Sequence, residues 1–273
     1  MNHGRLALIL SLFVCASPAA PGPQGRRERG GWDSSGRRGV PEWSLDPEFG
    51  SDAFTFVRIQ YRSTRERWSR YGSWATDYPD SDLNFSFRLQ QLTSLDVHPD
   101  GLVLELTDPR LFDYPFIYLI EPGYLLFSEA EVRALRRYLL NGGFLMVDDF
   151  WDDDEWDNFY GQIKRVFPER EPVDVPLEHE IFHCVYDLKE KPQVPSINSA
   201  ARGISWERGW NTQTPNYRAI YDDQGRMMAF ICHNTDLGDG WEREGEAEWY
   251  FREYSEPKAY PLGINIVTYA LTH

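Results

Sequence analysis

The middle of the chain constrains the fold most, because it sets one capped, amphipathic segment between two short apolar runs. The runs Tyr114–Ile120 and Phe144–Val147 are continuous and apolar, as in strands that are buried on both faces. Between them, Ser128 followed three residues later by Glu131 is the signature of a capping box and predicts the start of a helix. Gly142-Gly143 marks the end of that helix. A strand, a helix and a strand joined by short links predict a right-handed crossover and therefore a parallel sheet.

Patterns on either side of this unit predict further elements of an α/β domain. They are a strand at Phe54–Tyr61, a helix from about Asp82 to Leu95, a strand at Leu102–Leu106, a helix at Trp156–Phe167, a hairpin at Arg218–Cys232 and a terminal helix at Tyr260–Leu271. We expect Asp80, Ser81 or Asp82 to cap the first of these helices. A length of about 220 residues suits one domain, which we place at residues 51–273.

The first 50 residues predict an export signal and a linker. Residues 1–20 place a basic residue before the apolar run Leu6–Val14 and then several small residues, the pattern of a secretory signal peptide cleaved near Ala19. Residues 21–50 are rich in Gly, Pro, Arg and Ser, which indicates a flexible linker. We therefore expect an exported, periplasmic or extracellular, soluble protein with no membrane span after cleavage.

The chain has three cysteines, and export would leave two of them in the mature protein. Cys15 follows two large apolar residues, whereas lipidated cysteines follow a small one, so the sequence disfavours a lipid anchor. Cys184 and Cys232 would enter a compartment where a disulfide persists. The sequence leaves open whether they pair or remain two buried thiols.

The charge of the chain restricts its partners. The formal net charge is −15 and the pI is about 4.8. Such a field repels nucleic-acid phosphates and anionic membrane surfaces, so we expect no nucleic-acid partner. Ten tryptophans, many of them beside acids or glycines, would suit stacking on sugar rings, although core packing explains most of them equally well.

Five stretches, in this order along the chain, resemble one bacterial family. They are Trp74–Asp82, Ser128–Asp149, His179–Phe182, Asn234–Asp239 and Leu262–Thr272. On these stretches residues 52–273 resemble the uncharacterised family known as domain of unknown function 4159 (DUF4159). The resemblance implies a relation to the class I glutamine amidotransferase-like superfamily, and with it a three-layer flavodoxin-like fold.

One departure from that superfamily bears on chemistry. In the amidotransferases the strand after the Gly-Gly turn leads to a nucleophilic cysteine, whereas here it ends Val147-Asp148-Asp149. Cys184 and Cys232 belong to later elements. The resemblance therefore carries the fold and argues against a cysteine-dependent glutaminase, and whether the chain is an enzyme stays open.

Aspartates cluster where the predicted parallel strands end, the edge at which open α/β sheets bind ligands. The candidates for ligand binding are Asp77, Asp80, Asp82, Asp148, Asp149 and Asp236. Turn and cap roles explain the Asp77–Asp82 group and Asp236 without a ligand. The acidic run Asp152–Glu155 is explained as the solvated start of a helix, where negative charge favours the helix dipole.

The segment His179-Glu180-Ile181-Phe182-His183 matches the zincin pattern of two histidines one helical turn apart and a glutamate base. Pro176 and the alternation before it favour extended backbone instead, so we expect the pair not to share a zinc ion. His179, Glu180 and His183 are thus weak candidates for a divalent metal, and no other cofactor is indicated.

Together these patterns favour an exported ligand- or partner-binding envelope protein on an amidotransferase-like scaffold, with a glycan or another envelope protein as the partner. The alternative is a metal-dependent hydrolase that uses His179 and neighbouring carboxylates.

Overall fold

A computed structural model describes residues 37, 39–48, 50, 52–64 and 73–273. The predicted signal peptide, Cys15 and the first part of the predicted linker lie outside the described residues. In the part of the chain that the structure describes, no helix has the length and apolarity needed to cross a membrane.

The secondary structure alternates between strands and helices. The strands are β1 (Val57–Gln60), β2 (Arg62–Ser63), β3 (Leu102–Glu105), β4 (Phe116–Ile120), β5 (Leu125–Leu126), β6 (Phe144–Asp148), β7 (Val173–Asp174), β8 (Asn216–Tyr221) and β9 (Met227–His233). The helices are α1 (Asp80–Leu92), α2 (Glu129–Leu140), α3 (Asp152–Val166), α4 (Ile197–Ala200), α5 (Leu237–Glu242), α6 (Glu248–Tyr250) and α7 (Tyr260–Thr272), and a π-helical segment, Phe251–Ala259, joins α6 to α7. Five short 3₁₀ helices lie at Ser73–Ala75, Pro109–Asp113, Pro122–Tyr124, Glu180–Phe182 and Trp210–Thr212.

Seven strands form the central sheet in the order β3-β1-β4-β6-β9-β8-β7. The first five are parallel to one another, while β8 is antiparallel to both β9 and β7. Strands β2 and β5 form a separate antiparallel pair. This mixed, mostly parallel sheet confirms the α/β prediction, including the parallel pairing of β4 with β6.

Alternate side chains of the strands feed two core layers. On β4, Phe116 and Tyr118 face one layer, which also contains the buried side chains of α1, α5 and α7. Ile117 and Leu119 face the other layer, which contains those of α2 and α3. Helices therefore cover both faces of the sheet, and this three-layer arrangement is consistent with a flavodoxin-like fold.

The capping box of α2 is present as predicted. Ser128 Oγ accepts a hydrogen bond from the Glu131 N–H at 3.3 Å, and the Glu131 carboxylate accepts one from the Ser128 N–H at 2.6 Å. The start of α1 differs from prediction, since Pro79 precedes α1 and no side chain caps it, so the expected aspartate or serine cap is wrong. Helix α3 begins at Asp152, in the acidic run that was interpreted as a helix start, and the Asp152 carboxylate accepts hydrogen bonds from the N–H groups of Asp154 and Glu155.

Part of the predicted linker packs on the domain. Val40 is 4% exposed, and the Trp43 indole N–H donates to the Val97 carbonyl at 2.7 Å. The Arg37 guanidinium donates to the Pro99 carbonyl at 2.9 Å. The described part of residues 21–50 is therefore attached to the domain surface by specific contacts. It does not behave as the flexible linker that was predicted.

Candidate functional site

Three adjacent parallel strands end in the same backbone conformation. Glu121 follows β4, Asp149 follows β6 and Asn234 follows β9, with φ of 47°, 54° and 60°. These are left-handed values, which cost of order 1–3 kcal/mol outside glycine, although Asp and Asn adopt them more readily than other residues. Such strain collects at functional sites, and here it turns the chain sharply at the carboxyl edge of the sheet.

A cavity of about 220 Å³ lies at this edge. Its lining residues are Thr76, Asp77, Glu121, Tyr124, Asp149, Trp151, Glu155, Ser196, Glu207, Arg208, Asp236, Asp239 and Arg243. Seven of these side chains are carboxylates and two are arginines, so negative groups dominate the wall. The cavity brings together Asp77, Asp149 and Asp236, three of the six aspartates that the sequence nominated.

These three aspartates keep oxygens free for a ligand. Asp77 Oδ2 is buried and accepts no hydrogen bond from a described residue. Asp149 and Asp236 are 8% and 5% exposed, and each uses Oδ1 for its hydrogen bond, from the Trp151 indole at 3.0 Å and from the Asp239 N–H at 2.7 Å. The second oxygen of each side chain therefore remains available to the cavity.

Burial and mutual repulsion disfavour the charged forms of these carboxyls. Burial raises the pKa of Asp77, Asp149 and Asp236 well above the usual range, and neighbouring carboxylates raise each further. Burial also raises the pKa values of Glu121, Glu207 and Asp239. A cation in the cavity would oppose both effects, because it stabilises the ionised form of every carboxyl around it.

Asp148 lies beneath the cavity and does not line it. The side chain is fully buried, and its Oδ2 accepts hydrogen bonds from the Tyr118 hydroxyl at 3.1 Å and the Gly238 N–H at 3.0 Å. Its Oδ1 has no partner among the described residues. Burial raises the pKa of Asp148 to about 7, against the opposing effect of these donors. Its hydrogen bonds tie the end of β6 to the start of α5.

Among the described residues, one group of side chains has the spacing of a metal site. Asp77, Asp239 and Glu242 each offer an oxygen within 4.8 Å of the others. Arg243 already contacts two of the three, with Nε 3.1 Å from Asp239 Oδ1 and Nη2 2.7 Å from Glu242 Oε2. An ion bound here would therefore compete with a resident guanidinium.

Asp82 and Asp80 do not line the cavity. Asp82 is 1% exposed and forms an ion pair with fully buried Arg58, whose Nη2 lies 2.5 Å from Asp82 Oδ1. Arg58 also donates to the carbonyls of Trp74 and Thr76 at 3.0 Å each, and so holds the loop that presents Asp77. Asp80 lies in the first turn of α1. Asp82 thus stabilises the site from outside.

The zincin-like motif does not lie in an α-helix. His179 has the expected extended backbone and accepts a hydrogen bond from the Ile181 N–H at 3.2 Å, whereas Glu180–Phe182 form a 3₁₀ helix, so the expectation is wrong for those three residues. Both ring nitrogens of His183 have partners at 2.7 Å, the Asp187 carboxylate and the Leu177 carbonyl. Glu180 is largely exposed and lies 3.4 Å from the His273 ring.

The two described cysteines are unbonded. Cys232 is fully buried in β9, and the Cys184 thiol donates to the Asn265 carbonyl at 3.3 Å. Burial raises the pKa of both thiols, which opposes the nucleophilic thiolate form. Neither lines the cavity.

Several cavity residues were missed from the sequence. Glu121 directly follows a predicted strand, so the rule that nominated Asp149 would have found it too. Glu155 was expected in a solvated helix start, yet it is 5% exposed, accepts from the Trp151 N–H at 2.8 Å and pairs with Arg208 at 2.6 Å. Its neighbours Asp153 and Asp154 are exposed, as expected. Glu207 and Arg208 lie in irregular chain that has no periodic pattern.

Sequence comparison places the chain in a family but assigns no activity. No curated protein matches it. The model of the family described as "Domain of unknown function (DUF4159)" matches residues 55–271, which include both the sheet and the cavity. The chain belongs to this DUF4159 family.

Proposed function

We propose that this protein binds a small cationic ligand in the cavity at the carboxyl edge of its sheet. The observation that carries the proposal is the composition of the wall, where seven carboxylates face two arginines. A bound cation would supply the missing positive charge and accept contacts from the free oxygens of Asp77, Asp149 and Asp236. Open α/β sheets bind ligands at this edge, which supports the same location.

The dimensions favour a compact group. The volume of about 220 Å³ lies below the ~300–1,000 Å³ of pockets that bind drug-sized ligands. A hydrated metal ion or one end of an organic amine fits this space. The cavity is also too polar for an apolar ligand, since its aromatic wall residues are limited to Tyr124 and Trp151.

We extend the proposal to the scaffold and to its location. The mostly parallel sheet with helices on both faces supports an amidotransferase-like, flavodoxin-like fold. The small residues near Ala19 support export to the periplasm or the exterior. Amino-terminal sequencing of exported protein would test the second point. A mature, membrane-bound form that retains Leu6–Val14 would contradict it.

The rival function, a metal-dependent hydrolase centred on His179, has less geometric support. His179 accepts a hydrogen bond from the backbone, His183 has both nitrogens engaged, and the carboxylates with metal spacing lie in the cavity group instead. A divalent ion therefore enters the proposal as one candidate cation, bound near Asp77.

The test uses the raised pKa values of the cavity carboxyls. Because burial and neighbouring carboxylates raise the pKa of these groups, a cation that lowers those pKa values releases the protons the groups hold when it binds. Calorimetric titration with Mg²⁺, Ca²⁺, Zn²⁺ and putrescine, each in two buffers of different ionisation enthalpy, measures that release. We expect at least one of these cations to bind with proton release.

Asp236→Asn should weaken this binding at least tenfold, because it removes a charge from the wall. Asp113→Asn is the matched control, since Asp113 is exposed and precedes β4 at the opposite edge of the sheet. Binding of a neutral sugar such as N-acetylglucosamine without proton release, together with no binding of any cation, would replace the proposal by a glycan-binding function.

A further inference from the structure

Two tryptophans outside the cavity form an aromatic pair, in which Trp206 is partly buried and Trp210 is exposed. The rings of Trp206 and Trp210 lie 6.0 Å apart between centroids, at an angle of 42°. Trp210 is 83% exposed, more than any other large hydrophobic side chain of the described residues. Its indole therefore offers solvent a large aromatic surface that a ligand could cover.

The pair is adjacent in the chain to the cavity wall. Glu207 and Arg208, which lie between the two tryptophans in sequence, both line the cavity. The Glu207 carboxylate accepts a hydrogen bond from the Ser196 N–H, and Arg208 pairs with Glu155 at 2.6 Å. The segment 206–210 therefore contributes two charged side chains to the cavity wall, and the two indoles flank those side chains in the chain.

Further contacts hold this segment in place. The Gln193 side-chain amide donates to the Thr212 carbonyl and to the Asn234 carbonyl, at 2.8 and 2.9 Å. The Asn211 amide lies 3.3 Å from the carboxylate of Asp153, which is exposed. The chain that carries the indoles is thus held by contacts at Asn211 and Thr212, and binding would not have to order the segment first.

Aromatic faces and carboxylates together select one type of cation. A metal ion would bind the carboxylates and make no contact with the indoles. A neutral sugar would stack on the indoles and would not neutralise the carboxylates. An alkylammonium uses both, because its methylene groups pack on an indole and its charged nitrogen is attracted to the ring face and to carboxylates. Several such groups on one chain would span the cavity and the aromatic pair.

We propose that the ligand is a linear polyamine of three or more ammonium groups, with two of them in the cavity and the rest of the chain over Trp206 and Trp210. This inference rests on the proposed cation site and adds the class of cation. It implies that affinity rises with the length of the polyamine once the chain reaches past the cavity. A two-ammonium chain occupies the cavity alone, and a three-ammonium chain also reaches the aromatic pair.

Calorimetry with putrescine and spermidine tests this, with tryptophan fluorescence as a second readout. We expect spermidine to bind about tenfold more tightly than putrescine and to change the indole emission. Trp210→Ala should weaken spermidine binding about five- to tenfold and leave putrescine binding within about twofold. Trp249→Ala is the matched control, because Trp249 is 45% exposed and lies outside the cavity lining.

Trp206→Phe provides a second variant that keeps an aromatic ring and should retain most of the spermidine affinity. If a metal ion or putrescine binds with proton release but Trp210→Ala leaves spermidine binding unchanged, the polyamine inference fails and the cation site stands. If a metal ion binds and neither amine does, the inference is likewise overturned. If no cation binds at all, the proposed function fails and this inference with it.

Discussion

Two carboxylates lie near the buried Arg58 guanidinium, Asp82 and Asp77, and they differ in what neutralises them. Asp82 has a dedicated partner, since the Arg58 guanidinium and the Ser81 hydroxyl both donate to it within the core. Asp77, only five residues earlier, has a buried oxygen without a hydrogen bond from any described residue. The comparison separates a carboxylate that a buried ion pair holds from one whose buried oxygen has no such donor.

The difference also shows how the first environment supports the second. Arg58 donates hydrogen bonds to Asp82 in α1 and to the carbonyls of Trp74 and Thr76. One buried cation therefore holds α1 and the loop that carries Asp77. Burial by itself would lower the pKa of Arg58, but the charge and hydrogen bonds of Asp82 act in the opposite direction. The net pKa is raised above its usual value, and the guanidinium stays charged. A satisfied ion pair thus positions an unsatisfied carboxylate.

Breaking the satisfied environment should have the largest effect. Arg58→Met leaves Asp82 charged and unpaired in the core, and we expect it to lower the free energy of unfolding by about 3–5 kcal/mol. Urea denaturation measures this. The double variant Arg58→Met, Asp82→Leu should recover most of the loss, because it removes the orphaned charge. A loss below about 1 kcal/mol in the single variant would mean that the ion pair does not hold the loop.

A second prediction concerns Asp148, the buried acid outside the cavity lining, and the pH dependence of the free energy of unfolding. Burial raises the pKa of Asp148 from its ordinary value of 3.8 to about 7 in the fold, so between these pH values the folded state holds a proton that the unfolded state has lost. Stability therefore falls as pH rises from about 4 to about 7, and at 1.36 kcal/mol per unit the effect at pH 8 is at most ~4 kcal/mol.

Asp148→Asn should remove that part of the slope and raise the stability at pH 8 relative to the parent protein, while changing it little at pH 4. Thermal or urea unfolding at pH 4, 6 and 8 measures the slope. Asp77, Asp149 and Asp236 act in the same direction, so some slope should remain. Equal pH dependence in the variant and the parent would show that Asp148 ionises at its ordinary pH.

The smallest effect on stability is expected at His183, whose two ring nitrogens both have hydrogen-bond partners. In that respect it resembles Asp82, whose carboxylate is also paired. His183→Ala removes two hydrogen bonds from a partly exposed ring and should cost about 1 kcal/mol. We expect the zinc content of the protein to be the same with and without this substitution, as measured by elemental analysis. One zinc per chain that His183→Ala abolishes, with hydrolysis lost in Glu180→Gln, would establish the metal-dependent hydrolase instead.

The sheet could be read from the sequence because its signals are local. The apolar runs of β4 and β6, the capping box at Ser128 and the turn within the β8–β9 hairpin each depend on a few consecutive residues. Asp149 was accessible by the same logic, since it directly follows a buried strand. The backbone then placed it where parallel strands place their ends.

The rest of the site depends on contacts between distant parts of the chain. Nothing near Asp82 marks it as the partner of Arg58, which comes 24 residues earlier in a strand. Glu207 and Arg208 reach the cavity through irregular chain held by Ser196 and Glu155. A hydrophobic pattern of period 2 or 3.6 contains no information about such pairings. The sequence analysis therefore nominated Asp82 for ligand binding, although it lies outside the cavity, and did not nominate Glu207, which lines it.

The left-handed conformation at the strand ends bears on how such a site could diversify over evolution. Aspartate and asparagine are among the few residues with side chains that adopt this conformation readily, and Asn234 already ends β9 in it. Exchanging Asp149 for asparagine would leave the backbone unchanged and remove one ionisable carboxyl from the wall. Descendants of this chain could therefore change the acidity of the cavity in single-residue steps, without rebuilding the sheet beneath.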